Sequence, residues 1–172
     1  MRLDDDDFTL FGLPRRFALD RAQLDASWRA LQAKVHPDRF ASEGASAQRL
    51  AMQWAVRVNE AYQRLKDPLK RATLLCELAG APIEAESNTS MPPAFLMQQM
   101  EWREALQEAT TLTQVEALDE DIAAQERRLF DQVGQALDQR GDAAQAAQWV
   151  RALMFVARFR SDIDRKLDAL GQ

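Results

Sequence analysis

Lys34-Val35-His36-Pro37-Asp38-Arg39-Phe40 is the stretch whose reading decides the fold. It holds the only histidine of the 172 residues. Proline fixes its own φ, has no N–H to donate, and drives the residue before it out of the α region. A helix arriving from the N-terminal side should therefore stop at or near His36. Asp38 favours a turn, because its carboxylate can accept nearby backbone N–H groups. The expected product is a stiff polar tip that presents an imidazole and a carboxylate. The competing reading makes Pro37-Asp38 a mere helix breaker, and the flanks decide between the two.

Before the tip, Leu24, Trp28, Leu31 and Val35 recur at helical spacing. After it, Leu50, Trp54, Val58, Ala61 and Leu65, with Tyr62 beside them, form a second stripe. Two long antiparallel helices are predicted. The first opens at Asp20, with Gln23 three residues on as a capping-box-like pair. The second spans about 45–66. Phe40, apolar within a polar loop, should anchor that loop between them. Phe8 to Pro14 reads as a short apolar helix ended by Gly12 and Pro14. Asp67-Pro68 reads as an N-cap and first-turn proline opening a helix to Ala79, closed by Gly80. Cys76 there is expected to be a small buried hydrophobe.

A helical hairpin with His-Pro-Asp at its tip resembles the J-domain of heat-shock ATPase co-chaperones. The run Asn59-Glu60-Ala61-Tyr62-Gln63-Arg64-Leu65-Lys66-Asp67-Pro68-Leu69-Lys70-Arg71-Ala72 is similar to that family's closing segment. Arg21, Arg29 and Lys34 on the solvent face of the first long helix resemble its basic docking surface, though more sparsely.

Composition agrees with an all-α chain. Hydrophobic residues make up 47%, while six glycines and six prolines leave little for turn-rich β structure. Asp4 to Asp7 open the chain without a basic or apolar leader, and no apolar run is long enough to span a bilayer. One cysteine excludes an internal disulfide and supplies no paired metal ligand. A soluble, cytoplasmic protein is expected, with no membrane partner. The net charge of −5 divides unevenly: residues 1–80 carry 13 Lys+Arg against 11 Asp+Glu, and residues 81–172 carry 9 against 16. Neither part has the basic stripe of a nucleic-acid binder.

The division suggests two modules, with 1–80 as the first, 81–91 as a polar connection, and 92–172 as a three-helix bundle. Its helices are predicted at about 92–110, 114–140 and 143–170. The second should open with Thr113 and Glu116 as a capping box and end at Gly141; the third follows Asp142. Phe95, Trp102, Leu106 and Ala109 give the first helix its inward stripe. Leu96, Met97 and Met100 fall on another face, among Glu101, Glu104 and Glu108. Apolar residues with an acidic rim form a candidate binding surface, and thioethers adapt well to a partner. Either the third helix covers this face or the face is free. Phe155 and Phe159 could join the core or the patch.

Phe95-Leu96-Met97-Gln98-Gln99-Met100-Glu101-Trp102-Arg103-Glu104-Ala105-Leu106 resembles the start of the C-terminal domain of the HscB family, the J-type co-chaperones of iron–sulfur cluster assembly. Asp7-Phe8-Thr9-Leu10-Phe11-Gly12-Leu13-Pro14 and His36-Pro37-Asp38-Arg39-Phe40 fit the same family, so the resemblance runs over about 8–172. It implies an HscA-like heat-shock ATPase chaperone as one partner, met through Arg29, Lys34, His36, Pro37, Asp38 and Arg39. It implies an IscU-like cluster scaffold as the other, met through Leu96, Met97, Met100, Glu101, Glu104, Glu108 and Phe155. The chain departs from many J-domains in placing Val35 before the motif and Asp7 where a tyrosine is common.

Nothing in the sequence supports catalysis. No nucleophile elbow, phosphate-cradling glycine loop or metal-ligand set is present, and a solvent-facing tip lacks the shielded pocket that tunes acid–base groups. No cofactor is expected. The reading is an adaptor that stimulates a heat-shock ATPase and brings it the cluster scaffold. The alternative is a general J-protein that delivers unfolded clients.

Overall fold

The computed structural model describes residues 1–171. Among these residues seven α-helices run in order: α1 Asp7–Phe11, α2 Arg21–Val35, α3 Ala45–Lys66, α4 Pro68–Leu78, α5 Pro93–Glu108, α6 Leu112–Gly134 and α7 Ala143–Leu170. Among the described residues there is no strand. The fold is an all-α J-domain followed by a C-terminal helical bundle. Contacts divide the chain into two compact units, 1–74 and 75–172, so the division falls inside α4 rather than at residue 80.

In the first unit, α2 and α3 form the hairpin. Asp20 caps α2 by accepting the N–H groups of Ala22 and Gln23, and α2 stops at Val35, immediately before His36-Pro37. Leu24, Val58, Ala61 and Leu65 are fully buried, and burial of a leucine or valine is worth about 1.5–3 kcal/mol. The Trp28 and Tyr62 rings stack at 4.4 Å and tie α2 to α3. Leu50 departs from its expected place in the stripe. It is half exposed, at the rim of an apolar cavity that it lines with Val35, the last residue of α2, and with Phe40. Asp67 caps α4 through the N–H groups of Leu69 and Lys70.

A buried ion cluster fastens α1 to α3. Asp6 is the N-cap of α1, but its neighbour Asp7 turns inward and is only 3% exposed. The Asp7 carboxylate accepts Arg57 Nη1 at 2.8 Å and Arg64 Nε at 2.6 Å. Arg57 also donates to the carbonyls of Leu3 and Asp5. A buried carboxylate is tolerable only with such partners. The aspartate noted as a departure at position 7 therefore carries its own compensation on α3.

In the second unit, α6 and α7 are the principal packed pair, burying Val115, Ile122, Leu129 and Val133 of one and Val150, Leu153, Val156 and Ile163 of the other. The capping box that opens α6 is Thr111 with Gln114, not Thr113 with Glu116. The earlier start satisfies the first-turn donors and leaves Val115 fully buried. The helix also ends differently from the expected run to 140: Gln135–Gln139 widen into a π turn, and Gly141 then takes a positive φ of 60°. Asp142 caps α7 through the N–H of Gln145.

Residues 81–91 are polar but they are not a loose strap. Ile83 is buried, and the segment is held by Arg151 of α7, itself only 6% exposed. Arg151 Nε donates to the Ile83 carbonyl at 3.0 Å and Nη1 to the Ser90 carbonyl at 3.1 Å. Cys76, also in this unit, is buried; burial pushes its thiol up to about 11 although the positive charge of Arg151 pulls the other way.

Candidate functional site

Two exposed features stand out, one in each unit. The first is the hairpin tip. Pro37 opens a 3-10 turn over Pro37–Phe40, with His36 as its N-cap. The imidazole Nδ1 accepts the backbone N–H of Asp38 at 3.2 Å. Oδ2 of Asp38 lies 3.6 Å from the same nitrogen. The His36 side chain is 58% exposed and that of Asp38 92%. The imidazole thus holds the turn with one nitrogen and leaves the other towards solvent. Among the described residues the Asp38 carboxylate accepts no hydrogen bond, and its one close cationic neighbour is the imidazole at 3.6 Å.

The surrounding cations divide into two groups. Arg39 donates to the carbonyl of Ala33 at 3.2 Å, so it helps close the C-terminal end of α2, where carbonyls lack helical partners. Arg21 is paired with Asp25 and bonded to the Tyr62 hydroxyl, so it belongs to the hairpin's own network. These bonds from Tyr62 and Arg21 hold the Asp25 carboxyl below its ordinary value. Arg29 and Lys34 are exposed and make no ion pair within 4 Å among the described residues. Phe40 is half buried. With Lys34, Val35, Ala47, Leu50 and Trp54 it lines an apolar cavity of about 310 Å³ behind the tip.

The second feature is the outer face of α5. Leu96, Met97 and Met100 are 48%, 68% and 71% exposed, and Glu101, Glu104 and Glu108 stand exposed around them. Neither α6 nor α7 covers this face. The opposite side of α5 is held by an aromatic cluster. Phe95 meets Trp102 and Phe155 edge-on, each at 5.8 Å, and Phe159 stacks against Phe155 at 5.7 Å and Trp102 at 6.2 Å. Phe155 is the one residue of the expected set that is buried, at 7% exposed. It forms the floor beside the patch, with the Arg103 guanidinium 5.2 Å above its ring. Arg103, absent from the sequence reading, is thereby drawn into the site. Its signal was its place seven residues after Leu96, two full turns along the same face.

The chain that carries both features is similar to known proteins over nearly its whole length. Over 171 residues the chain is 51% identical to the co-chaperone protein HscB homologue of Paraburkholderia xenovorans, covering 98% of this chain and 97% of that one. The chain belongs to the HscB co-chaperone family. The HscB homologue of Burkholderia multivorans is 52% identical over the same shares of the two chains. Residues 91–164 match the family model described as the HSCB C-terminal oligomerisation domain. Among solved structures, chaperone HscB from Vibrio cholerae superposes with a TM-score of 0.85 at 38% identity, covering 96% of this chain and 99% of that one. Human co-chaperone protein HscB gives 0.87 at 27% identity, covering 96% and 84%. HscB relatives are thus similar along the whole chain, tip and bundle together. Among the described residues no group of His, Cys, Asp and Glu is arranged to hold a metal ion, and no helix is long and apolar enough to cross a membrane.

Proposed function

We propose that this protein is a two-site adaptor, itself not an enzyme, working in the cytoplasm in iron–sulfur cluster assembly. Its J-domain engages an HscA-like heat-shock ATPase chaperone and speeds ATP hydrolysis there. Its C-terminal bundle holds an IscU-like scaffold and delivers it to the chaperone. The observation that carries the reading is the pair of exposed features on separate units: an outward imidazole and carboxylate on a rigid turn, and an uncovered apolar ridge edged by glutamates. Neither is required for its own unit's packing.

The tip acts by differential contacts. A ligand shifts a two-state partner only by the difference in its affinity for the two states. The free Asp38 carboxylate suits an arginine of the chaperone in its hydrolysis-competent state, and the solvent-facing nitrogen of His36 adds a directional hydrogen bond. Arg29 and Lys34, exposed and held in no ion pair within 4 Å among the described residues, supply complementary charge that speeds encounter. Arg39 supports the tip from below. On α5, Leu96, Met97 and Met100 provide apolar area, Glu101, Glu104 and Glu108 provide the charged rim, and Phe155 gives the patch a fixed base. Carrying both partners on one chain raises the concentration of each near the other.

The test is steady-state ATP hydrolysis by the chaperone with wild-type protein and with Asp38→Ala. Because that side chain is almost wholly exposed, the substitution should leave the fold intact and abolish stimulation. Full stimulation by the variant would refute the reading. If an unfolded peptide displaced the scaffold from the protein, delivery of general clients would replace scaffold delivery.

A further inference from the structure

Beside the apolar patch, the seam between α5 and α7 opens into a groove of about 770 Å³. Its walls include Arg103, Leu106 and Gln107 of α5 and Phe155, Arg158 and Phe159 of α7. Asp162 and Arg165 also reach it, but they are paired with each other. Arg103 and Arg158 have no carboxylate within 4 Å among the described residues, although residues 81–172 carry 16 acidic against 9 basic side chains. The groove therefore concentrates two uncompensated guanidinium groups over an aromatic floor, within an otherwise acidic module.

Position on α5 connects the groove to the patch. Successive helical residues turn by about 100°. Glu101, Glu104 and Glu108 then lie about 100–160° around the helix from Arg103, with Leu96 and Met100 between them. Phe155 lines the groove and packs edge-on against Phe95, the residue before Leu96 on α5. A partner seated on Leu96 and Met100 thus meets negative charge along one edge and positive charge along the other.

We infer that the groove of Arg103 and Arg158 takes an anionic segment of the same scaffold protein that occupies the Met97–Met100 patch, a glutamate- or aspartate-bearing stretch with an apolar side chain laid on Phe155 and Phe159. The inference rests on the scaffold reading above and gives it a polarity. Opposite charge on the two edges of one interface fixes register and rejects a reversed docking, since like charges brought together cost affinity. Arginine suits this task because its planar fork binds carboxylates in a bidentate manner while its face rests on an aromatic ring.

The experiment measures affinity of the full chain for the purified IscU-like scaffold of the same organism, at low and high ionic strength. Arg158→Glu should weaken binding about five- to tenfold at low salt, and less at high salt where screening is stronger. Arg127→Glu, the same charge change on the exposed surface of α6, should change affinity less than twofold. Met97→Glu with Met100→Glu reports separately on the patch. If Arg158→Glu binds as tightly as wild type while the methionine variant is weakened, the groove inference fails and the scaffold reading stands. Equal weakening by Arg158→Glu and Arg127→Glu would also overturn it, showing only a response to net charge. Loss of chaperone stimulation by Arg158→Glu with unchanged scaffold affinity would assign the groove to the other partner. If the methionine variant also binds normally, the scaffold reading itself is lost.

Discussion

Nδ1 of His36 accepts the backbone N–H of Asp38 at 3.2 Å, so a residue of the tip doubles as the cap of its own turn. Neutral imidazole can accept at Nδ1 only with its proton on Nε2. Nitrogen chemical shifts of the ring should therefore show the Nε2–H tautomer for the neutral form. His36→Asn should keep the turn, since an asparagine side chain can accept the same N–H, and the stability should stay within about 0.5 kcal/mol. It should still lose chaperone stimulation, because no outward ring nitrogen remains. Retained stimulation would reduce the imidazole to a structural cap.

Asp7 is a different case, because its charge is buried between Arg57 and Arg64. Removing it strips Arg57 and Arg64, which are 18% and 40% exposed, of their shared carboxylate, and loss of hydrogen bonds to a charged group costs about 1.5–3 kcal/mol. Asp7→Ala should accordingly lower the urea midpoint of the J-domain transition sharply, releasing α1 from α3, while scaffold binding by the bundle persists.

Asp6, one residue earlier, gives the same region a pH dependence. Burial would raise its carboxyl, but hydrogen bonds from the Thr9 hydroxyl, Arg15 and the Thr9 N–H outweigh it and hold the group down at about 2, against an ordinary 3.8. The folded state thus binds fewer protons than the unfolded chain. Its contribution is fully present above pH ~4 and is lost as pH falls to ~2. Thermal unfolding followed across that window should show the loss, and Asp6→Asn should flatten it.

Arg151 holds the entry to α5. Arg151→Met would leave the carbonyls of Ile83 and Ser90 without their donor, at about 1–3 kcal/mol for the buried Ile83 carbonyl left unsatisfied and less for that of the exposed Ser90. Hydrogen exchange over residues 81–91 should accelerate while α2 and α3 are unaffected. In the wild type Cys76 should resist alkylation at pH 8, its thiol being buried and held near 11; in Arg151→Met it should react faster as its unit loosens.

Much of this architecture was legible because punctuation and periodicity agreed. Pro37 ended α2 where its chemistry required, Asp20 and Asp67 capped as their positions implied, and α3 runs over Ala45–Lys66 as its stripe indicated. Periodicity put Leu96, Met97 and Met100 on a face of α5 apart from its inward stripe but left open whether α7 covers it; their exposure of 48%, 68% and 71% decides that it does not. Three features were not readable. Thr111/Gln114 and Thr113/Glu116 both fit a capping box, and only the packing of Val115 chooses between them. Asp7 looked like one more member of a solvated acidic run; its burial depends on Arg57 and Arg64, seven residues apart on a helix distant in sequence. Arg151 sits between Val150 and Ala152, and its own burial, at 6% exposed, is set by the carbonyls it meets. Which carbonyls it meets is a matter of tertiary structure.

Delivery requires the tip and the ridge on the same molecule, and complementation in trans tests this most directly. Chaperone ATPase activity would be followed as scaffold is titrated, with wild-type protein, with Asp38→Ala, with Met97→Glu/Met100→Glu, and with the two variants mixed. The account predicts scaffold-dependent acceleration with wild type alone. The methionine variant should give basal stimulation insensitive to scaffold, and the mixture should give no more than that. Full acceleration from the mixture would show that the two sites work without being joined, and would contradict the adaptor.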